Sequence, residues 1–251
     1  MAVFNMNFHS KELKQKTTVN IIIPDNANET VKTLWLLHGL SDDQNTWMHK
    51  TSIERYADSH GIAVIMPTSD RCWYTDTAYG KNYFTYITDE LPTVCRKHFS
   101  ALSPNREDNM VAGLSMGGYG ALKIALTYPE RYGFCGALSA SVDITRENRP
   151  YDLNEWRSIF GFDLTDAREL AGSKHDLFAL TKRNHDDGKT FPEIYMWCGT
   201  EDSLLGVNKK LSGLFDELDV KHLFEYSEGN HSWKWWDLHI KDALNYYLKD
   251  K

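Results

Sequence analysis

Asn109-Met110-Val111-Ala112-Gly113-Leu114-Ser115-Met116-Gly117-Gly118-Tyr119-Gly120-Ala121-Leu122 is the stretch on which the fold turns. An apolar run leads into G-L-S-M-G at 113–117, and good helix formers continue from Ala121 to Leu126. Strand, sharp turn and helix in that order form the context of a G-x-S-x-G nucleophile elbow, which lifts a serine hydroxyl above the sheet edge. Strand and helix then approach so closely that positions two residues either side of the serine must be tiny, as Gly113 and Gly117 are. Alone, the pentapeptide also fits a Gly-rich turn with an incidental serine. The flanking strand and helix patterns favour a nucleophile at Ser115.

The same alternation of strand and helix extends on both sides of the elbow. Residues 1–24 read as a hairpin closed by Pro24, with 25–29 a polar turn. Thr33-Leu34-Trp35-Leu36-Leu37 and Ile62-Ala63-Val64-Ile65-Met66-Pro67 are continuous apolar runs, as in strands buried on both faces. A helix is predicted at 51–59 and another at 83–99, broken or kinked near Pro92. After the elbow come a buried strand at 133–139, a strand at 194–198, a helix at 204–218, an alternating strand at 221–226 and a closing helix at 233–248. Between 142 and 190 the periodicity weakens and charges rise, which reads as an insertion with short helices at 154–160 and 175–183. It either shapes a substrate pocket or ornaments the surface. The expectation is a single α/β domain over 1–251, with a mostly parallel sheet covered by helices on both faces.

Composition narrows the function classes. The chain has 251 residues, 41% hydrophobic and 25% charged, with a net charge of −7 and no basic run. A nucleic-acid surface and an anionic-membrane patch are therefore not expected. No apolar window reaches bilayer length and no leader pattern opens the sequence, so the cytosol is the expected compartment. Cys72, Cys95, Cys135 and Cys198 lie far apart without a C-x-x-C pair and read as reduced thiols.

A serine hydroxyl needs a base to take its proton, and that base needs a third group to hold its tautomer. Of the histidines beyond Ser115, His231 lies in Glu228-Gly229-Asn230-His231-Ser232-Trp233, a loop directly after the final strand. That position carries an imidazole over the C-terminal sheet edge. His175 and His185 lie among charged residues and read as solvated, while His239 falls mid-helix. For the acid, Cys198-Gly199-Thr200-Glu201-Asp202-Ser203-Leu204 follows the penultimate strand; Asp202 is chosen, with Glu201 as the neighbour able to serve. Asp202 could instead cap the helix beginning near Leu204, and both roles coexist only if its carboxylate faces the histidine. Backbone N–H groups for an oxyanion are expected from Met116 and from Leu40, where Gly39 lets the loop turn. His38 is expected to be structural. Trp47, Trp73, Tyr74, Trp233 and Trp235 fall in or near the loops around Ser115 and either wall a substrate pocket or fill gaps against the sheet.

H-G-L-S at 38–41, W-Y-T-D at 73–76, G-L-S-M-G-G-Y-G-A at 113–121, G-T-E-D at 199–202 and G-N-H-S-W at 229–233 occur in that order. Together they resemble the esterase D group of α/β-hydrolases, which includes S-formylglutathione hydrolases, feruloyl and acetyl-xylan esterases and mycolyltransferases. Within it the chain is most similar to bacterial short-chain acyl (tributyrin) esterases. The resemblance spans nearly the whole chain and is weakest over 142–190. It implies Ser115, Asp202 and His231 as a triad, Leu40 and Met116 as oxyanion donors, and no metal or organic cofactor. Two positions depart from S-formylglutathione hydrolases, where a threonine-cysteine pair follows the oxyanion glycine-leucine and a histidine follows the double glycine. Ser41-Asp42 and Tyr119 stand there instead, which argues against a glutathione thioester.

The expected activity is hydrolysis of short-chain acyl esters of small molecules through an acyl-enzyme. The alternatives are a carbohydrate-ester hydrolase, an S-formylglutathione hydrolase-like thioesterase and, from another class, a non-catalytic binding module on the same fold. A small-molecule ester is the expected partner; monomer and homo-oligomer both remain open.

Overall fold

A computed structural model describes residues 1–25, 30–145 and 152–249. Residues 26–29 of the expected polar turn and 146–151 of the expected insertion lie outside the described residues. Among the described residues eight strands form one sheet: β1 (Ala2–Ser10), β2 (Gln15–Ile23), β3 (Thr33–Leu37), β4 (Ala63–Pro67), β5 (Asn109–Leu114), β6 (Phe134–Leu138), β7 (Glu193–Gly199) and β8 (His222–Ser227). Their spatial order is β1-β2-β4-β3-β5-β6-β7-β8. The hairpin strand β2 runs antiparallel to both β1 and β4, while every pairing from β4–β3 to β7–β8 is parallel. The C-terminal ends of the parallel strands therefore share one edge, with Leu37 level with Gly113 and Leu114 level with Leu138. Ligands of open α/β sheets bind at such an edge.

Both faces of the central strands are buried, as their unbroken apolar runs require. In β3, Leu34 and Leu36 join one core while Trp35 and Leu37 join the other, following the two-residue period of a strand. The first core lies under α1 (Thr46–Lys50), α2 (Ile53–His60) and α9 (Trp233–Leu248). The second lies under α5 (Met116–Thr127), α7 (Leu177–Asp186) and α8 (Leu205–Glu217). From Met116 to Leu126 every residue of α5 is buried, because the segment at 153–186 together with Tyr74, Thr75 and Phe84 covers the side that the sheet leaves open. In that segment α6 (Leu153–Phe160), a 3-10 turn (Ala167–Leu170) and α7 place Trp156, Ile159, Leu170 and Leu177 in the same core. The charges that mask its periodicity are partly caps: Asp152, Asp166 and Asp176 each accept amides of the first turn that follows.

The helix expected at 83–99 divides into α3 (Tyr83–Thr85), a π segment (Tyr86–Glu90) and α4 (Leu91–His98). Pro92 lacks an N–H and its ring would strike the carbonyl of Thr88, four residues back. The ladder widens there, and the Arg131 guanidinium donates to that carbonyl at 3.3 Å. Among the described residues no helix is long and apolar enough to cross a membrane.

Candidate active site

β5 delivers Ser115 at the sheet edge with φ 53° and ψ −115°, a conformation that residues with a side chain rarely adopt. The turn is so tight that a Cβ on Gly113 would strike the carbonyl of Gly117, and one on Gly117 would strike the carbonyls of Leu37 and His38. Glycine at both positions is thus a matter of space between backbones.

Asp202 and His231 arrive on adjacent loops, after β7 and β8. These loops are zipped together: the Thr200 amide donates to the Ser227 carbonyl and the Glu201 amide to that of Gly229, both at 2.8 Å. The pairing leaves no room for a Cβ on Gly199, which would meet the Gly229 carbonyl. His231 Nδ1–H donates to Asp202 Oδ2 at 2.8 Å, and His231 Nε2 faces Ser115 Oγ at 3.0 Å. A proton on Nδ1 leaves Nε2 as the acceptor for the serine hydroxyl. The other carboxylate oxygen, Asp202 Oδ1, accepts the Leu204 amide at 2.9 Å. Capping and facing the histidine therefore coexist in one side chain. Glu201 is exposed.

The Asp202 side chain is fully enclosed, whereas 39% of the His231 side chain is open. Burial alone would push the Asp202 carboxyl up, but hydrogen bonds from His231, the Leu204 amide and Ser139 outweigh it and hold the carboxyl below its ordinary range. Two residues that sequence reasoning missed complete this network. Ser139, at φ 44°, accepts the Trp236 indole N–H at 3.1 Å, and the Trp236 ring meets His231 edge to face at 4.9 Å. Ser139 is the last residue of a run that reads as strand. Trp236 is hidden among the tryptophans of a helix, so no local signal marks either residue.

The Met116 amide opens α5 and has no acceptor within the helix. Leu40 follows Gly39, whose Cβ position lies 3.8 Å from Ser115 Cβ, so this loop runs beside the nucleophile. His38 is buried, its Nδ1–H donating to the Gly39 carbonyl and its Nε2 accepting the Ser69 amide at 2.9 Å. Burial pushes its pKa down, which keeps the ring neutral in this structural position. Beyond Leu40, Arg71 donates to Ser41 Oγ at 2.6 Å and grips the Glu155 carboxylate of α6 with two nitrogens.

The aromatic residues require a correction. Trp47, Trp73 and Tyr74 are at most 1% exposed and do not wall an open pocket. The end of β3 explains this for two of them, because Trp47 Nε1–H donates to the Leu37 carbonyl and the Tyr74 hydroxyl to the His38 carbonyl, drawing both rings inward. Trp73 packs edge-on against Tyr119. Trp233 and Trp235 remain partly exposed. His175 is also corrected: it is 7% exposed rather than solvated, and its Nδ1 accepts from Lys123. All four cysteines are free and buried, and burial pushes the Cys72, Cys95 and Cys198 thiols up to about 12. Among the described residues no group of three or more His, Cys, Asp or Glu side chains is placed to hold a metal.

A serine whose hydroxyl meets a carboxylate-backed imidazole beside the first amides of a helix has the makings of an acyl-transfer site. The Esterase family model matches residues 10–247, and the chain belongs to that family. An acetyl esterase from Caldicellulosiruptor saccharolyticus is 31% identical over 268 residues, covering 99% of each chain. The fluorophosphonate-binding serine hydrolase FphF of Staphylococcus aureus, solved with substrate bound, matches with a TM-score of 0.91 at 33% identity over 99% of both chains. The S-formylglutathione hydrolase FrmB of Staphylococcus aureus matches with a TM-score of 0.87 at 34% identity over 98% of both. The protein is a serine esterase with the α/β-hydrolase fold, of the esterase D and S-formylglutathione hydrolase group.

Proposed function

We propose that the chain hydrolyses short-chain acyl esters of small molecules through an acyl-enzyme on Ser115. The observation that carries this reading is the unbroken row from Asp202 through His231 to Ser115, with contacts of 2.8 and 3.0 Å. His231 Nε2 takes the Ser115 proton as Oγ attacks the ester carbonyl carbon. The oxygen that becomes negative is received by the amides of Leu40 and Met116, aided by the positive end of α5. His231 then hands its proton to the departing alkoxide, and the alcohol leaves. Water repeats the cycle on the acyl-enzyme, losing its proton to His231, and releases the acid and free Ser115. Asp202 holds the tautomer and stabilises the imidazolium throughout.

The acetyl esterase relative favours a small acyl group. Ser41-Asp42 and Tyr119, where S-formylglutathione hydrolases typically carry threonine-cysteine and histidine, argue against a glutathione thioester. The same reading puts the enzyme in the cytosol, where four buried thiols stay reduced. The test is a p-nitrophenyl ester series from acetate to laurate, with acetylated xylose and a glutathione thioester beside it, run on wild type and Ser115→Ala. Turnover that peaks at two to four carbons and is abolished in folded Ser115→Ala supports the proposal. Near-full activity in that variant refutes the nucleophile, and faster turnover of the sugar ester or the thioester replaces the substrate class.

A further inference from the structure

Lys123 lies on α5 two turns beyond Ser115 and is only 3% exposed. A lysine so placed costs free energy unless every N–H finds an acceptor. Here each of the three does: Nζ donates to the Tyr74 carbonyl at 2.9 Å, to Thr75 Oγ1 at 2.7 Å and to His175 Nδ1 at 3.2 Å. None of these acceptors is a carboxylate. The rings of Phe84 and Tyr119 lie 5.3 and 5.6 Å from the nitrogen. Burial beside Lys123 pushes the His175 imidazole down to about 2, so the ring is a neutral acceptor.

The three acceptors belong to the parts of the molecule that surround the elbow. Trp73 and Tyr74 are consecutive non-glycine residues at φ 52° and 47°, a strained turn that persists only when its neighbours hold it. Thr75 Oγ1–H ties back to the Trp73 carbonyl at 2.9 Å. From that turn the Tyr74 hydroxyl reaches the His38 carbonyl at 2.8 Å, at the root of the loop bearing the Leu40 amide. The third acceptor, His175, begins the approach to α7, and its own carbonyl accepts the Tyr119 hydroxyl at 2.9 Å.

We infer that Lys123 is a positioning residue for ester hydrolysis: its ammonium locks the turn at 73–75, and through Tyr74 the Leu40 loop, and it clamps the segment at His175 onto the nucleophile helix. This inference rests on the reading of Ser115 as nucleophile and Leu40 as oxyanion donor. A neutral amine has two N–H groups for three acceptors, so the lock needs the charged form. Burial brings the lysine down to about 7, within the working range of an esterase. The titratable groups around it are His175 and Lys174 from the covering segment, Cys72, Tyr74 and Asp76 from the loop between β4 and α3, Tyr119 from α5 itself and Tyr128 just after it. Lys174 pushes the lysine lower, while the Asp76 carboxylate opposes that; the Cys72 thiol, pushed up to about 12, stays neutral in this range. The Asp76 carboxylate is occupied by the amide and hydroxyl of Thr85.

The experiment is the pH dependence of kcat and KM for p-nitrophenyl acetate from pH 5 to 9.5 in wild type, Lys123→Met and His175→Asp. Wild type is expected to lose kcat on the alkaline side with a midpoint near 7. Lys123→Met should lower maximal kcat by about 10- to 100-fold with KM little changed, and should lack that alkaline limb. In His175→Asp a carboxylate oxygen stands where Nδ1 stood, so the limb should move up by about one pH unit or more. The same limb in Lys123→Met as in wild type, no limb in wild type, or an unmoved limb in His175→Asp overturns the inference. Should Lys123→Met fail to fold, the wild-type and His175→Asp profiles decide. Fluorophosphonate labelling of wild type separates the two levels. Without labelling the nucleophile reading fails, whereas labelling with unmoved profiles removes the role of Lys123 alone.

Discussion

The indole of Trp236 stands perpendicular to the imidazole of His231, ring centroids 4.9 Å apart at 87°, while its N–H is bound to Ser139 Oγ at 3.1 Å. One side chain thus braces the proposed base by contact and the proposed acid through Ser139, whose hydrogen bond helps hold Asp202 ionised. Trp236→Phe keeps the edge contact and removes the N–H. Its kcat for p-nitrophenyl acetate should fall about 10-fold with KM nearly unchanged, and it should unfold about 1 kcal/mol more easily in urea. Unaltered kcat would show that Ser139 holds its orientation without the indole.

Gly199 and Gly229 pass with backbones in contact, and this packing sets the distance between the acid and imidazole loops. Gly199→Ala must push them apart, moving His231 away from Asp202 or Ser115. A displacement near 1 Å lowers kcat about 100-fold, and fluorophosphonate labelling should slow in parallel. Gly206→Ala is the control: that glycine lies in α8 with open space around it, so the change should leave kcat alone and stabilise the helix by about 0.5–1 kcal/mol. Equal kcat in both variants would detach activity from the loop spacing.

The elbow, the alternation of strands and helices around it and the loops that carry Asp202 and His231 were legible because each is written in local pattern, whereas the spatial order of the strands was not. These patterns are apolar runs, a Gly-x-Ser-x-Gly turn, and polar residues directly after strands. The chemistry of enclosure was not. His175 reads as solvated because its sequence neighbours are charged, yet Lys123 and Tyr119 of α5 draw it inward. Trp47 and Tyr74 read equally as pocket walls or as gap-fillers against the sheet, because they sit in loops near the elbow. The carbonyls of Leu37 and His38 that accept their polar groups decide their direction, and those carbonyls become visible only once the end of β3 is placed beside α5. Lys123, inside an otherwise apolar helix, has no sequence neighbour that reveals its acceptors.

Asp202 and Glu201 are adjacent and chemically alike, but only Asp202 is enclosed against His231. Asp202→Asn should lower kcat by about 10⁴-fold, as expected when the imidazole loses its orienting charge, whereas Glu201→Gln should stay within about twofold of wild type. The reverse order would transfer the acid role.

Asp202 also predicts a pH effect on stability. Its folded pKa is held below the ordinary carboxylate value, so its contribution is full above the unfolded pKa of about 4 and is lost as pH falls toward the lower folded value. Asp202→Asn should therefore be less stable than wild type in urea at pH 7, and the gap should shrink progressively below about pH 4. A gap that is constant between pH 7 and pH 3 would mean that the carboxylate charge contributes nothing to folding.

Ser115 holds φ 53° and ψ −115° because the elbow demands it, and the residue pays for that conformation whether or not its hydroxyl is used. Ser115→Ala removes the nucleophile but keeps the Cβ and hence the strain. Ser115→Gly removes both. Glycine ordinarily costs stability by enlarging the unfolded ensemble, by about 0.4–1 kcal/mol, while relief of a strained residue returns about 1–3 kcal/mol. Relief wins, so Ser115→Gly should be more stable than Ser115→Ala by about 1 kcal/mol, measured by urea unfolding, with ester hydrolysis abolished in both. A glycine variant no more stable than the alanine variant would mean that the turn stores no strain at Ser115, and that the hydroxyl is presented by close packing of Gly113 and Gly117 alone.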